Sequence, residues 1–246
     1  MDHNIPSPQH PEHIVELLSN TPARLGVWRA GARPLTSVWL KFRQDHAKAR
    51  DAVHSDLSAE FLEEFAQKRG LPVVQSEAAS RAEFVLNPPR GKRVSQETLD
   101  RLRSICPSGR DVEIVISDGL SARAVEENVP NLLAMLEHGL ELEHITFGLP
   151  VVVRFGRVAV ADHIAHALDA TVAVNLIGER PGLSSVGLSA YITYNPGPHS
   201  ISSDRTVVSN IHAGGTPATE AGAYIVQLVK RIIELRVSGV RLQELA

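Results

Sequence analysis

Apolar and polar positions along the chain follow two different rhythms, which meet near residue 108. In the first stretch apolar residues recur at helical spacing among frequent charges. Ile14, Leu17 and Leu18 form a short stripe, and Trp39, Leu40 and Phe42 open a longer helix running through Asp45, His46 and Arg50 towards Val53. Ser58 stands where an N-cap belongs, ahead of a helix over 59–69 that Gly70 stops. Ser95 is placed to cap another helix, with an inner face of Leu99, Leu102 and Ile105. Between them Asn87-Pro88-Pro89-Arg90-Gly91 reads as a turn or loop.

Beyond residue 108 short apolar runs alternate with helix-period segments. A buried strand over 112–116 leads through Ser117-Asp118-Gly119 into a helix over 121–139, which Pro130 is expected to break or kink. A second strand over 150–155 meets Gly156-Arg157-Val158 and a helix through Ile164 and Leu168. A third, over 171–177, ends in Gly178-Glu179-Arg180-Pro181-Gly182. Strands near 190–195 and 206–211 extend the sheet. Thr216 as N-cap and Pro217 at the first helical position start a final helix, striped by Ile225, Leu228, Val229, Ile232 and Ile233 and ended by Gly239. Alternating strands and helices predict an α/β fold with a parallel sheet and right-handed crossovers. The expected division is a mainly helical N-terminal region over 1–107 and an α/β domain over 108–246.

Composition narrows the options. A chain of 246 residues, 43% hydrophobic and 22% charged, can bury a core without covalent staples. With 25 basic against 28 acidic residues and 4% aromatics, it has neither the basic footprint nor the stacking residues of a nucleic-acid binder. The single cysteine, Cys106, excludes an internal disulfide and a cysteine-rich metal site, and fits a reducing compartment. Met1-Asp2-His3-Asn4 opens no secretory signal, and the longest apolar runs, 149–153 and 171–177, are too short to span a bilayer. The expectation is a soluble protein that is not exported and has no membrane partner.

Ligands of an open parallel sheet bind at the carboxyl ends of its strands. The three strand-end turns named above each combine glycine with charge, a pairing that suits close backbone approach and directional polar contact, and that ordinary turns also favour. The dinucleotide, P-loop and nucleophile-elbow signatures are missing. Asp162, His163 and His166 have metal-like helical spacing but no third anchor, so they read as a solvated face. Cys106 reads as a buried or half-buried thiol. The 204–217 block gathers Asp204, Arg205, Asn210, His212, Gly214 and Gly215 before a helix, which fits polar ligand contacts and an elaborate helix entry equally well. No catalytic or metal-binding residue is put forward.

Taken in order, these blocks resemble the ethanolamine ammonia-lyase small (light) subunit over about residues 24–239. The blocks are Arg24-Leu25-Gly26-Val27-Trp28-Arg29-Ala30-Gly31-Ala32-Arg33-Pro34, Asp45-His46-Ala47 and Arg50-Asp51-Ala52-Val53. They continue with Val115-Ile116-Ser117-Asp118-Gly119-Leu120-Ser121, Val153-Arg154-Phe155-Gly156-Arg157-Val158 and Leu176-Ile177-Gly178-Glu179-Arg180-Pro181-Gly182-Leu183. Leu188-Ser189-Ala190-Tyr191 and the 204–217 block complete them. The resemblance implies a Rossmann-like domain behind a helical N-terminal region. It implies a hetero-oligomer with a large subunit, a TIM barrel that binds ethanolamine, and adenosylcobalamin, a cobalt cofactor, held at the interface. It further implies a lyase complex of ethanolamine catabolism yielding acetaldehyde and ammonia, in the cytoplasm and associated with a bacterial microcompartment. By motif position the cobalamin contacts fall on Val158, Glu179 and Val207. The alternative is a Rossmann-like binding or scaffold subunit without cobalamin contacts.

Several positions depart from the family pattern. Val207 stands where many members have Cys, and Ala159-Val160-Ala161-Asp162 replaces a Lys-x-Glu-Asp. The loop Ser184-Ser185-Val186-Gly187 is one residue short and lacks the usual Glu, and the expectation is a small subunit without the long N-terminal extension of some members. The D-x-H-x-x-G signature of a protein ligand to cobalt is also absent. The expectation is therefore that the cofactor keeps its own base and that His212 is structural or lines the interface.

Overall fold

A computed structural model describes residues 12–20, 29–30, 32–182 and 186–245. Of the motifs above, Met1 to Asn4, Arg24 to Trp28, Gly31 and Leu183 to Ser185 lie outside the described residues. The chain runs α1 (Glu12–Ser19), β1 (Arg29–Ala30), β2 (Arg33–Pro34), α2 (Thr36–His54), β3 (Val73–Gln75), α3 (Arg81–Leu86), α4 (Gln96–Ile105) and β4 (Val112–Ser117). It continues with α5 (Ala122–Leu142), β5 (Val151–Arg154), α6 (Ala159–Ala167), β6 (Val172–Gly178), β7 (Leu188–Tyr194), β8 (Arg205–Ile211), α7 (Ala218–Leu235) and α8 (Val240–Glu244).

Six of these strands make one sheet in the order β3-β5-β4-β6-β7-β8. The first four are parallel, as expected of an α/β fold. The two strands that extend it, β7 and β8, run antiparallel. The connections explain the change. Helices join the parallel strands, whereas among the described residues no α-helix intervenes between β6 and β7 or between β7 and β8, and a parallel return needs a long crossover. Strand β3, in a stretch read as helical, takes the edge by pairing Val73, Val74 and Gln75 with Val152, Val153 and Arg154.

Both faces of the parallel strands are buried. On one side α5 and α7 cover Ile114, Ile116, Val174 and Leu176, together with Ala190, Ile192 and Val208 of the outer strands. On the other, α4 and α6 cover Val115, Val151, Val153 and Ala173. Full burial of each large apolar side chain contributes about 1.5–3 kcal/mol. On this second side Val207 and Ser209 of β8 are left exposed.

The local grammar holds with corrections. Ser58 accepts from the Phe61 N–H at 3.1 Å, but the turn it opens is π-helical over Phe61–Gln67. Ser95 accepts from Thr98 N–H, and α4 buries Leu99 and Leu102 but leaves Ile105 exposed. The Pro88–Lys92 stretch is a 3-10 turn. Pro130 does not end α5, because the stripe Val125, Val129, Leu132, Leu133, Leu136 and Leu140 packs on both sides of it. Helix α7 starts one residue late, with Pro217 rather than Thr216 at the N-cap, and stops at Leu235 with Arg236 left-handed; Gly239 instead begins α8. No residue of α1 or α2 is buried, so the Ile14–Leu18 stripe and Trp39 face outward or lie half-covered.

Candidate functional site

The strand-end turns share one edge of the sheet, and each is largely absorbed by packing. Asp118 is buried, accepting from Arg81 Nη2 at 2.6 Å and from the Gly156 N–H at 3.0 Å. Arg81 is itself buried, also donating to Asp56 Oδ1 at 3.0 Å and to the Gly119 carbonyl at 2.8 Å, with its guanidinium against the rings of Phe84 and Phe155. The glycines serve close packing between turns: a Cβ on Gly119 would strike the Gly178 carbonyl, and one on Gly178 would strike that of Ser121. Of the charged residues at these ends, Glu179 is half-buried and Arg180 is exposed.

The 204–217 block resolves in the same way. Arg205 pairs with Asp162 of α6, donating from Nε at 3.1 Å and from Nη2, and both side chains are buried. Asp162 therefore belongs to a helix-to-sheet tie and not to a solvated face. His163 is half-buried and its Nδ1 accepts from the Val94 N–H at 3.3 Å; burial above all lowers its pKa. His166 alone of the three keeps an exposed position. Asn210, at a φ of 62°, closes the helix entry: its carbonyl accepts from Thr216 N–H at 3.0 Å. Both ring nitrogens of His212 are engaged inside that turn, Nε2 with Asn210 Oδ1 at 2.7 Å and Nδ1 with the Gly214 N–H at 3.1 Å.

What remains is a row across the outer sheet. Asn175 of β6, Tyr191 of β7 and Val207 of β8 are register partners, so their side chains stand side by side on the face opposite α5 and α7. Asn175 Nδ2 donates to the Val158 carbonyl at the start of α6, at 3.0 Å. The Tyr191 hydroxyl donates to Glu179 Oε1 at 2.9 Å. Burial first, then that hydrogen bond, pushes the Tyr191 hydroxyl up to about 12. Val158, Glu179 and Val207, separated by up to 49 positions in the sequence (207 − 158), thus border one shelf. Val207 is 46% exposed. Asn175 Oδ1 and Ser189 Oγ, on the same face, are buried without a hydrogen-bond partner among the described residues.

Tyr191 and Asn175 went unassigned by sequence reasoning. The available signal was a tyrosine inside the Leu188-Ser189-Ala190-Tyr191 motif and an asparagine inside an apolar strand. Two cavities, of about 500 Å³ beside Trp39, Phe42 and His46 and about 290 Å³ beside His166, His199 and Asp204, lie elsewhere. Among the described residues no cluster of His, Cys, Asp and Glu has the arrangement of a metal site.

The family profile described as Ethanolamine ammonia-lyase light chain (EutC) matches residues 11–243. Among curated relatives, the ethanolamine ammonia-lyase small subunit of Clostridium tetani (strain Massachusetts / E88) is 44% identical over 240 residues, 97% of this chain and 80% of the relative. That of Clostridium perfringens (strain ATCC 13124) is 40% identical over the same shares.

Proposed function

The chain belongs to the ethanolamine ammonia-lyase light-chain family, and from that premise we propose that it is the small subunit of an adenosylcobalamin-dependent ethanolamine ammonia-lyase. The complex is a carbon–nitrogen lyase that converts ethanolamine to acetaldehyde and ammonia. Substrate and catalysis belong to a large TIM-barrel subunit, and this chain contributes cobalamin contacts through Val158, Glu179 and Val207. It works in the cytoplasm, in association with a bacterial microcompartment. No helix among the described residues is long and apolar enough to cross a membrane.

The observation that carries this reading is the shelf itself: three positions far apart in sequence are tied together through the buried Asn175 and the half-buried Tyr191, and the row opens at the exposed Val207. The residues present fit a corrin. An exposed valine and the α6 entry offer apolar packing to a flat macrocycle, while the Glu179 carboxylate can accept from an amide on its rim. The partnerless Asn175 Oδ1 and Ser189 Oγ carry an uncompensated desolvation cost on the same face, which polar groups or water brought by a ligand would lower. An open face also needs a second wall, which supports a site completed by another subunit.

When bound, adenosylcobalamin supplies the radical chemistry. The residues of this chain bind and orient the corrin and keep water from its near side. The test is cyanocobalamin titration of the complex assembled with its large subunit. Glu179→Ala removes one charged hydrogen bond, worth roughly 1.5–3 kcal/mol, so the Kd is expected to rise about ten- to a hundredfold with assembly intact. An unchanged Kd would remove Glu179 from the site.

A further inference from the structure

We infer that Tyr191 is the positioning residue for the Glu179 carboxylate, holding one oxygen so that the other faces the ligand; this rests on the cobalamin reading of the shelf. Glu179 follows the last residue of β6, where a carboxylate has several rotamers open to it. Its backbone is held by the N–H bond to the Gly187 carbonyl at 3.0 Å. Its side chain is held by the Tyr191 hydroxyl on Oε1 at 2.9 Å, and Oε2 has no hydrogen bond among the described residues. Tyr191 is suited to the task because its own place is set by the sheet: it lies in the middle of β7, in register with Asn175 on one side and Val207 on the other.

The hydroxyl stays protonated throughout the physiological range, since burial and Glu179 raise it to about 12. It is therefore a constant donor. Asn175 does the corresponding work at the other end of the row, where its amide holds the Val158 carbonyl. A single cross-strand row thus ties the α6 entry to Glu179. The β6–β7 register, which sets Asn175 beside Tyr191, helps fix the spacing of the contacts.

The experiment is a double-mutant cycle on cyanocobalamin Kd in the assembled complex, using wild type, Tyr191→Phe, Glu179→Ala and the double variant. Removing only the hydroxyl is expected to raise Kd roughly three- to tenfold, the scale of one lost hydrogen bond, with assembly and Tm unchanged. In the Glu179→Ala background the same substitution is expected to have no further effect. A loss of equal size in both backgrounds would make Tyr191 structural and overturn the inference. So would an unchanged Kd for Tyr191→Phe when Glu179→Ala weakens binding. If Glu179→Ala itself leaves Kd unchanged, the cobalamin reading of Glu179 fails and this inference falls with it.

Discussion

Glu113 lies fully buried on β4, with neither carboxyl oxygen hydrogen-bonded among the described residues. Gly148 leaves the space it occupies, since a Cβ there would collide with Oε2. Burial pushes its pKa from 4.5 up to about 8. Between those values the folded protein keeps a proton that the unfolded chain releases. The stability this group contributes is complete below about pH 4.5 and is lost as pH rises through about 8. The slope is up to about 1.4 kcal/mol per pH unit. Denaturant unfolding between pH 5 and 8 is expected to show the native chain losing stability relative to Glu113→Gln, and parallel curves would show that the carboxyl is not held neutral. Cys106 is buried, as its sequence context suggested, and burial with Glu113 raises its thiol to about 11. Residue by residue, burial of the 112–116 run was legible, but Glu113 was carried into the core unnoticed by its apolar neighbours. Arg81 was not legible at all, because its partner Asp118 is 37 positions away.

At the level of elements, serine caps and proline fixed the starts of α4, α5 and α7 to within a residue, since capping is local, whereas helix ends were missed by three or four residues and α3 went unread. The errors came where tertiary packing overrode them. The core on both sides of Pro130 carries α5 past it, and the short edge strand β3 exists only because β5 lies beside it. The turns after β4 and β6 meet in close backbone contact. Gly178→Ala would drive a methyl group into the Ser121 and Asp118 carbonyls, backbone atoms with little room to yield. Overpacking of that sort costs about 1–3 kcal/mol or more, and at roughly 2–4 °C per kcal/mol for a chain of this size the loss is measurable as a lower Tm. Gly70→Asn, at a φ of 67° with open space around it, is the control and is expected to cost little. A Gly178→Ala chain as stable as the control would mean that the two turns part easily.

For the whole molecule, the shelf is open to one side. On that face Val207 of the outer strand β8 is left 46% exposed. An open shelf of this kind can hold one side of a large ligand but cannot enclose a small substrate. The purified chain alone is therefore expected to give no acetaldehyde from ethanolamine with adenosylcobalamin present. Combined with its large subunit it is expected to support cofactor-dependent turnover, followed by coupled reduction of the aldehyde. Turnover by this chain alone would overturn the division of labour proposed here.

By itself the sequence determined the α/β class, most helix and strand positions, the family, and Val158, Glu179 and Val207 as the positions to examine. These follow from short-range rules and from motifs that are contiguous in the chain. Only the tertiary structure decided that β7 and β8 turn antiparallel, that Asp118 and Asp162 are spent on buried arginines, and that Tyr191 and Asn175 bind the three positions into one shelf. The physical reason is that strand register and buried pairing bring together residues tens of positions apart, and no local pattern encodes which of two neighbouring polar side chains will find its partner inside the protein and which will be left facing out.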